Sequence, residues 1–211
     1  MNELKLSSDD AGTYPIAPNG IFRNVQGEGH LTGKLMIFVR LAGCSVGCPE
    51  CDTDYRADRR LTVQQIVSEV EALGLPGVSD IWITGGEPAN HDLLPLIRAL
   101  RGAGIAVATS GAKELALGVW LSVSPHSPDT WKQRVGAELK LVSGLNGVRL
   151  KDFEPILAER TTQFGHKFVQ PLWDARIDAP DRRSLEECLV WLETHPGWRM
   201  SFQGHKQMRL A

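Results

Sequence analysis

Residues 34–51 read KLMIFVRLAGCSVGCPEC, an apolar run that delivers the chain into three cysteines. The first part, 34–41, is short and rich in branched and aromatic side chains, so it predicts a buried strand. Cys44, Cys48 and Cys51 follow with C-x3-C-x2-C spacing, three of the chain's four cysteines within eight residues. A structural zinc site takes four nitrogen or sulfur ligands, and a cubic [4Fe–4S] cluster also usually takes four thiolates. Three thiolates from one loop leave one iron without a protein ligand, open to a small molecule. Gly43 and Gly47 suit a loop that wraps tightly, because glycine tolerates backbone angles that other residues avoid. Spacing alone leaves a second reading open: three ligands of a zinc site completed by Cys188 or by one of the histidines. Four cysteines in 211 residues, with no secretory signal peptide, point to a reducing compartment rather than to disulfides.

Outward from this stretch, 80–84, 105–109, 120–124, 138–142, 167–170 and a last segment near 198–202 also read as strands. Apolar residues recur with helical period over 61–73, 92–101 and 184–193, with Thr62 and Ser184 as N-caps. Cys188 falls inside the last of these and reads as a core residue. Strands alternating with helices predict an α/β fold with a mainly parallel sheet. About six strands and few helices are too few for an eight-fold barrel of roughly 250 residues, so a partial, open barrel is expected. The polar motifs fall just after strands, where parallel α/β folds bind their ligands. One domain is expected over 1–211, with 1–14 a loose N-terminal extension.

A net charge of −2 and a pI near 6.3 give no electrostatic reason to expect nucleic acid or an acidic membrane surface as a partner. No apolar run approaches the roughly 20 residues of a spanning helix. A cytoplasmic protein is expected. Arg40 is a charge inside an apolar strand, which suits a planar fork reserved for a carboxylate.

The cysteine loop, followed after the next strand by Thr84-Gly85-Gly86-Glu87-Pro88, resembles the radical S-adenosylmethionine (SAM) enzymes. Further segments narrow the resemblance to the 7-carboxy-7-deazaguanine synthase family. These are Val25-Gln26-Gly27-Glu28-Gly29, Phe38-Val39-Arg40-Leu41, Cys51-Asp52-Thr53, Thr109-Ser110-Gly111, Val123-Ser124-Pro125, Val169-Gln170-Pro171 and Gln203-Gly204-His205-Lys206. They keep the family's order from residue 21 to the C-terminus.

The resemblance implies a lyase that converts 6-carboxy-5,6,7,8-tetrahydropterin to 7-carboxy-7-deazaguanine and ammonia, in the biosynthesis of queuosine and related 7-deazapurines. It implies a partial radical SAM barrel, a homodimer, a flavodoxin-like electron donor and a SAM that is regenerated. Cys44, Cys48 and Cys51 would hold a [4Fe–4S] cluster, and Thr53 a Mg2+. SAM would meet Glu50, Cys51, Asp52, Gly85, Gly86, Glu87, Gly111, Ser124, Pro125, His126, Gln203, Gly204, His205 and Lys206. The pterin would meet Val25, Gln26, Gly27, Arg40, Thr109 and the terminal carboxylate of Ala211. The chain departs from the family's usual residues at Glu50, commonly aromatic, at His126, commonly Lys, and at Gly204, often Thr. A glycyl-radical activating enzyme is the alternative within the superfamily. The Q-G-E-G turn and the small size argue against it. Replacing Cys44, Cys48 or Cys51 by Ala should abolish the brown absorption near ~400 nm of anaerobically prepared protein. Cys188→Ala should retain it.

Overall fold

A computed structural model describes residues 12–49, 51, 53–74, 80–100 and 103–210. The chain runs β1 (Thr13–Val25), β2 (Leu35–Leu41), β3 (Arg59–Thr62), α1 (Val63–Leu73), β4 (Ile81–Gly85) and α2 (Leu94–Ala99). It continues through β5 (Ile105–Thr109), β6 (Trp120–Val123), β7 (Val135–Ser143), α3 (Glu154–Leu157) and β8 (Gln163–Pro171). The last elements are β9 (Trp173–Asp174), β10 (Ala179–Pro180), α4 (Arg182–Thr194), β11 (Trp198–Met200) and α5 (Gly204–Gln207).

Nine strands form one sheet in the order β11-β8-β7-β6-β5-β4-β2-β1-β3, and β9 pairs with β10 apart from it. From β2 across to β11 every pairing is parallel. On the other side β1 runs antiparallel to β2, and β3 antiparallel to β1. The mainly parallel open sheet is the one expected, but it has nine strands rather than about six. The two strands of this sheet that no expected segment covers, β1 and β3, precede α1. The stretch 13–25 carries Pro15, Pro18 and an Asn19-Gly20 pair, which read as breakers. Pro18 and Asn19-Gly20 fall where the register with β2 shifts between Ile16 and Ile21, with Asn19 at φ 49°, while Pro15 stays in register with Arg60 of β3. Of the loose extension expected over 1–14, residues 1–11 lie outside the described residues, while Thr13 opens β1 and Tyr14 is buried with its hydroxyl donating to the Asp92 carbonyl.

Strand alternation explains why 34–41 is apolar throughout. Met36 and Phe38 point to one face, and Ile37, Val39 and Leu41 to the other. Each set joins a separate buried cluster. The outer cluster packs the sheet against Ile66 and Val70 of α1, Leu96 of α2, and Cys188 and Trp191 of α4. The inner cluster is small, with Met36, Phe38, Trp82 and Ala106 buried. On β6, β7 and β8 the inner face turns polar, with Ser122, Glu138 and Gln170 buried there. The 26–34 loop occupies this inner side. The Gly29 amide donates to Ser201 Oγ (3.0 Å) and the His30 amide to Glu138 Oε2 (2.6 Å). The sheet curls enough that Gly204, beyond edge strand β11, donates its amide to the Gly27 carbonyl at 2.9 Å.

The helices follow the expected positions with altered ends. Thr62 caps α1 in a reciprocal pair with Gln65, as its sequence suggests. α2 is shorter than 92–101, with a proline in its first turn. Ser184 is not the N-cap of α4. Asp181 is: its carboxylate accepts from the Ser184 amide at 2.8 Å, while the Ser184 hydroxyl accepts from the Leu172 amide. Among the described residues no helix is long and apolar enough to cross a membrane. Asp181→Ala should lower the unfolding free energy by about 1 kcal/mol in urea titrations, the usual worth of an N-cap.

Candidate active site

The C-terminal ends of the parallel strands open into one cavity of about 270 Å³. Thr84 to Pro88 line it after β4, Ala108 to Ser110 at β5, Ser124 and His126 after β6, Val142 on β7, Gln170 on β8, and Gln203 and Lys206 after β11. Cys44, Cys48 and Cys51 form its wall beyond β2. None of the four cysteines is in a disulfide. Gly43 and Gly47 have φ of 84° and 67°, the left-handed turns the loop was expected to need.

The Gly85-Gly86 pair has a packing role. A side chain at Gly85 would strike the backbone of Leu41, and one at Gly86 the carbonyl of Gly43. The turn after β4 is thus pressed against the base of the cysteine loop, with the Gly86 amide donating to the Leu41 carbonyl (2.8 Å) and the Glu87 amide to the Gly43 carbonyl (2.9 Å). Glu87 is buried, and its carboxylate accepts from the Ala89 amide (2.9 Å), Thr109 Oγ1 (2.7 Å), the Ser110 amide (2.8 Å) and Ser110 Oγ. A carboxylate has about four acceptor sites, so Glu87 is filled by the protein and bolts the turn after β4 to the turn after β5. The Thr109 hydroxyl also accepts from the Gly111 amide at 3.1 Å.

Across the cavity lies an ion pair that the sequence reading did not assign to the site. Lys140 Nζ donates to Glu28 Oε2, and Gln203 Nε2 (3.0 Å) and Gln170 Nε2 (3.3 Å) donate to Oε1. Both side chains are largely buried, 19% exposed for Glu28 and 13% for Lys140. Burial alone would raise the Glu28 pKa, but the Lys140 charge and hydrogen bond, with His205 and Gln203, outweigh it and hold the carboxyl at about 2. The signals were available: Glu28 sits between two glycines, and Lys140, with Glu138, is a charge on β7 between Leu139 and Leu141. Trp173 and Tyr55 also line the cavity and carried no such signal.

Of the other expected residues, Thr53, Val25, Gln26, Gly27, Arg40, Gly111, Pro125, Gly204 and His205 are not among the lining residues. Arg40 pairs in register with Thr84, which is, and its guanidinium lies 5.3 Å from the centre of the Phe22 ring. Gln26 is buried, its side-chain oxygen accepting from the Glu28 amide at 3.0 Å. Gly27 packs so closely on His205 that a side chain there would strike its ring and backbone. Gly111 has φ 72° and abuts Val123 and Trp131. Lys206 sits with Nζ 5.6 Å from the centre of the Trp173 ring. Glu50, Asp52 and Ala211 lie outside the described residues.

The donor set fits a three-thiolate cluster. Cys188 is fully buried in α4 among the outer core, and desolvation, with the Glu187 charge, pushes its thiol up to about 12. It is neither a thiolate nor near the cavity, so it does not complete a zinc site. His126 is the histidine that lines the cavity, and burial lowers its pKa.

Comparison with known proteins agrees. A 7-carboxy-7-deazaguanine synthase from Escherichia coli is 31% identical across 94% of this chain and 99% of its own length. One from Caulobacter vibrioides is 33% identical over the same shares. The chain belongs to the 7-carboxy-7-deazaguanine synthase family. The crystal structure of QueE from Escherichia coli matches with a TM-score of 0.70 at 27% identity, over 92% of this chain and 95% of that one. No family model matches the chain. Membership of the synthase family leaves the zinc and activase readings without support.

Because the Glu28 carboxyl is held below its ordinary 4.5, the pair's stabilisation is present above about pH 4.5 and is lost as pH falls through about 2. At pH 7, Lys140→Met should cost about 3 kcal/mol in chemical unfolding, because it leaves a buried charge without its partner. Lys140→Met with Glu28→Gln should recover most of that loss.

Proposed function

We propose that this protein is a radical SAM lyase that converts 6-carboxy-5,6,7,8-tetrahydropterin to 7-carboxy-7-deazaguanine and ammonia. The observation that carries this is the convergence of three unbridged loop cysteines on one strand-end cavity in a chain of this family. Cys44, Cys48 and Cys51 would hold a [4Fe–4S] cluster with one iron left for SAM. The bound cluster and SAM supply the radical chemistry.

The chain's own residues supply position and electrostatics. The carboxylate of Glu87 is already filled, so the turn it anchors would offer its backbone carbonyls to the SAM ammonium. Ser124, His126, Gln203 and Lys206 would line the rest of the SAM site, with Gly111, Pro125, Gly204 and His205 shaping it from behind. Trp173 gives that end of the cavity an aromatic wall. On the substrate side, Arg40 would fork the pterin carboxylate. Val25, Gln26, Gly27 and Thr109 would fix the position of the ring, and the Glu28–Lys140 pair gives the cavity matched charges. Mg2+ at Thr53, a flavodoxin-like electron donor and a homodimer belong to the same proposal and rest on the resemblance, and a cytoplasmic location is proposed from the cysteine usage and the lack of a long apolar run.

The test is anaerobic turnover of reconstituted protein with SAM, Mg2+, reductant and the tetrahydropterin, followed by mass spectrometry. The expected result is 7-carboxy-7-deazaguanine without matching consumption of SAM. SAM cleavage to 5′-deoxyadenosine with no deazaguanine would keep the radical SAM assignment and overturn the substrate. Arg40→Lys should raise KM for the pterin about tenfold or more, since a point charge replaces a bidentate fork.

A further inference from the structure

The three loop sulfurs have different neighbours. Cys44 Sγ meets the Val46 amide of its own loop at 3.4 Å. Cys51 Sγ faces the Thr53 carbonyl, an acceptor, at 3.7 Å. Cys48 Sγ is met from across the cavity: His126 Nδ1 lies 2.7 Å away and Asn146 Nδ2 3.8 Å away. Asn146 Nδ2 also donates to the His126 backbone carbonyl at 3.5 Å, so Asn146 holds the backbone that carries the imidazole.

Both approaches are set by the local backbone. Asn146 has φ 54° and ψ 25° inside the short turn Leu145–Gly147, a left-handed conformation that asparagine tolerates better than most residues. His126 follows Ser124-Pro125 beyond β6, where Ser124 is fixed by its amide bond to the Thr109 carbonyl at 2.8 Å.

A metal-bound thiolate carries no proton and only accepts. Nδ1 of His126 must then present its N–H to Cys48. We propose that His126, braced by Asn146, donates an N–H···S hydrogen bond to the Cys48 thiolate and thereby raises the reduction potential of the cluster held by Cys44, Cys48 and Cys51. This rests on the cluster assignment above. An added electron puts more negative charge on the cluster's sulfurs, so a donor stabilises the reduced form more than the oxidised one. His126 acts through Cys48 and not on the reacting atoms. It makes the cluster easier to reduce by whatever donor serves it.

The test is an EPR-monitored redox titration of anaerobically reconstituted protein without SAM, after measuring iron and sulfide per chain. His126→Leu should shift the midpoint to more negative potential, with up to a tenfold lower reduced-to-oxidised ratio at fixed potential. For a one-electron couple that is about 59 mV. His126→Gln, which keeps an N–H, should return the midpoint part of the way to wild type. Asn146→Gly, which permits the left-handed backbone and removes the amide, should shift it in the same direction by less. An unchanged midpoint in fully loaded His126→Leu overturns the inference, and so does an equal shift in the Gln and Leu variants. If His126→Leu fails to hold iron, an unchanged midpoint in Asn146→Gly overturns it instead. Wild-type protein that binds no iron–sulfur cluster overturns the cluster assignment as well. A loaded cluster indifferent to residue 126 overturns this inference alone.

Discussion

The carboxylate of Glu28 joins parts of the chain more than a hundred residues apart. It is reached by Lys140 from β7, Gln170 from β8 and Gln203 beyond β11, while its own backbone belongs to the loop between β1 and β2. A parallel sheet curled this far has an inside that helices cannot cover, so something else must fill it. Here the 26–34 loop does so, and it brings a charge where strands elsewhere contribute apolar side chains. Burial of an unpaired carboxylate would be costly. The polar inner faces of β7 and β8 exist because the loop and its Glu28 require partners.

The glycines on either side of Glu28 follow from the same constraint. Gly27 lets the loop settle on His205, and Gly29 turns at φ 68° where a side chain would strike the Glu138 carboxylate. Much of the Q-G-E-G signature is therefore architectural. The same holds for the glycines after β4, which let one cavity-lining turn sit beneath the cysteine loop. In both places a motif associated with ligand binding is first a means of bringing two backbone segments into contact. The site is positioned by those contacts.

The parallel half of the sheet was legible because β2, β4, β5, β6, β7 and β8 each carry a run of buried residues. Its antiparallel edge was not, because β1 carries Pro18 and its Asn-Gly pair at a register shift, where the ladder tolerates them, and keeps Pro15 in register with the short edge strand β3. The cap of α4 was misread by three residues. Asp181 and Ser184 are both good caps by type, and the difference is made by Leu172, whose amide takes the Ser184 hydroxyl from outside the helix. The cysteine loop was legible from its spacing as a metal–thiolate loop, and the resemblance, not the spacing, favoured a cluster over zinc. The Glu28–Lys140 pair was visible only as two unexplained charges, since nothing local says that residues 28 and 140 face one another.

Glu87 and His126 mark two ways in which this cavity uses its polar groups. Glu87 looks from sequence like a residue waiting for a ligand, yet all four of its acceptor positions are engaged by the chain itself. Its contribution is to make the turns after β4 and β5 one rigid rim. His126 looks like a strand-end residue aimed at a ligand, yet its nearest polar neighbour is a cysteine sulfur. The rim locked by Glu87 is bonded to the base of the cysteine loop on one side and, through the Thr109 carbonyl, to the Ser124 amide on the other, and so holds the His126–Cys48 distance. Geometry at the mouth of the barrel and electrostatics at the sulfurs are thus the same problem, solved by side chains that need not touch a substrate.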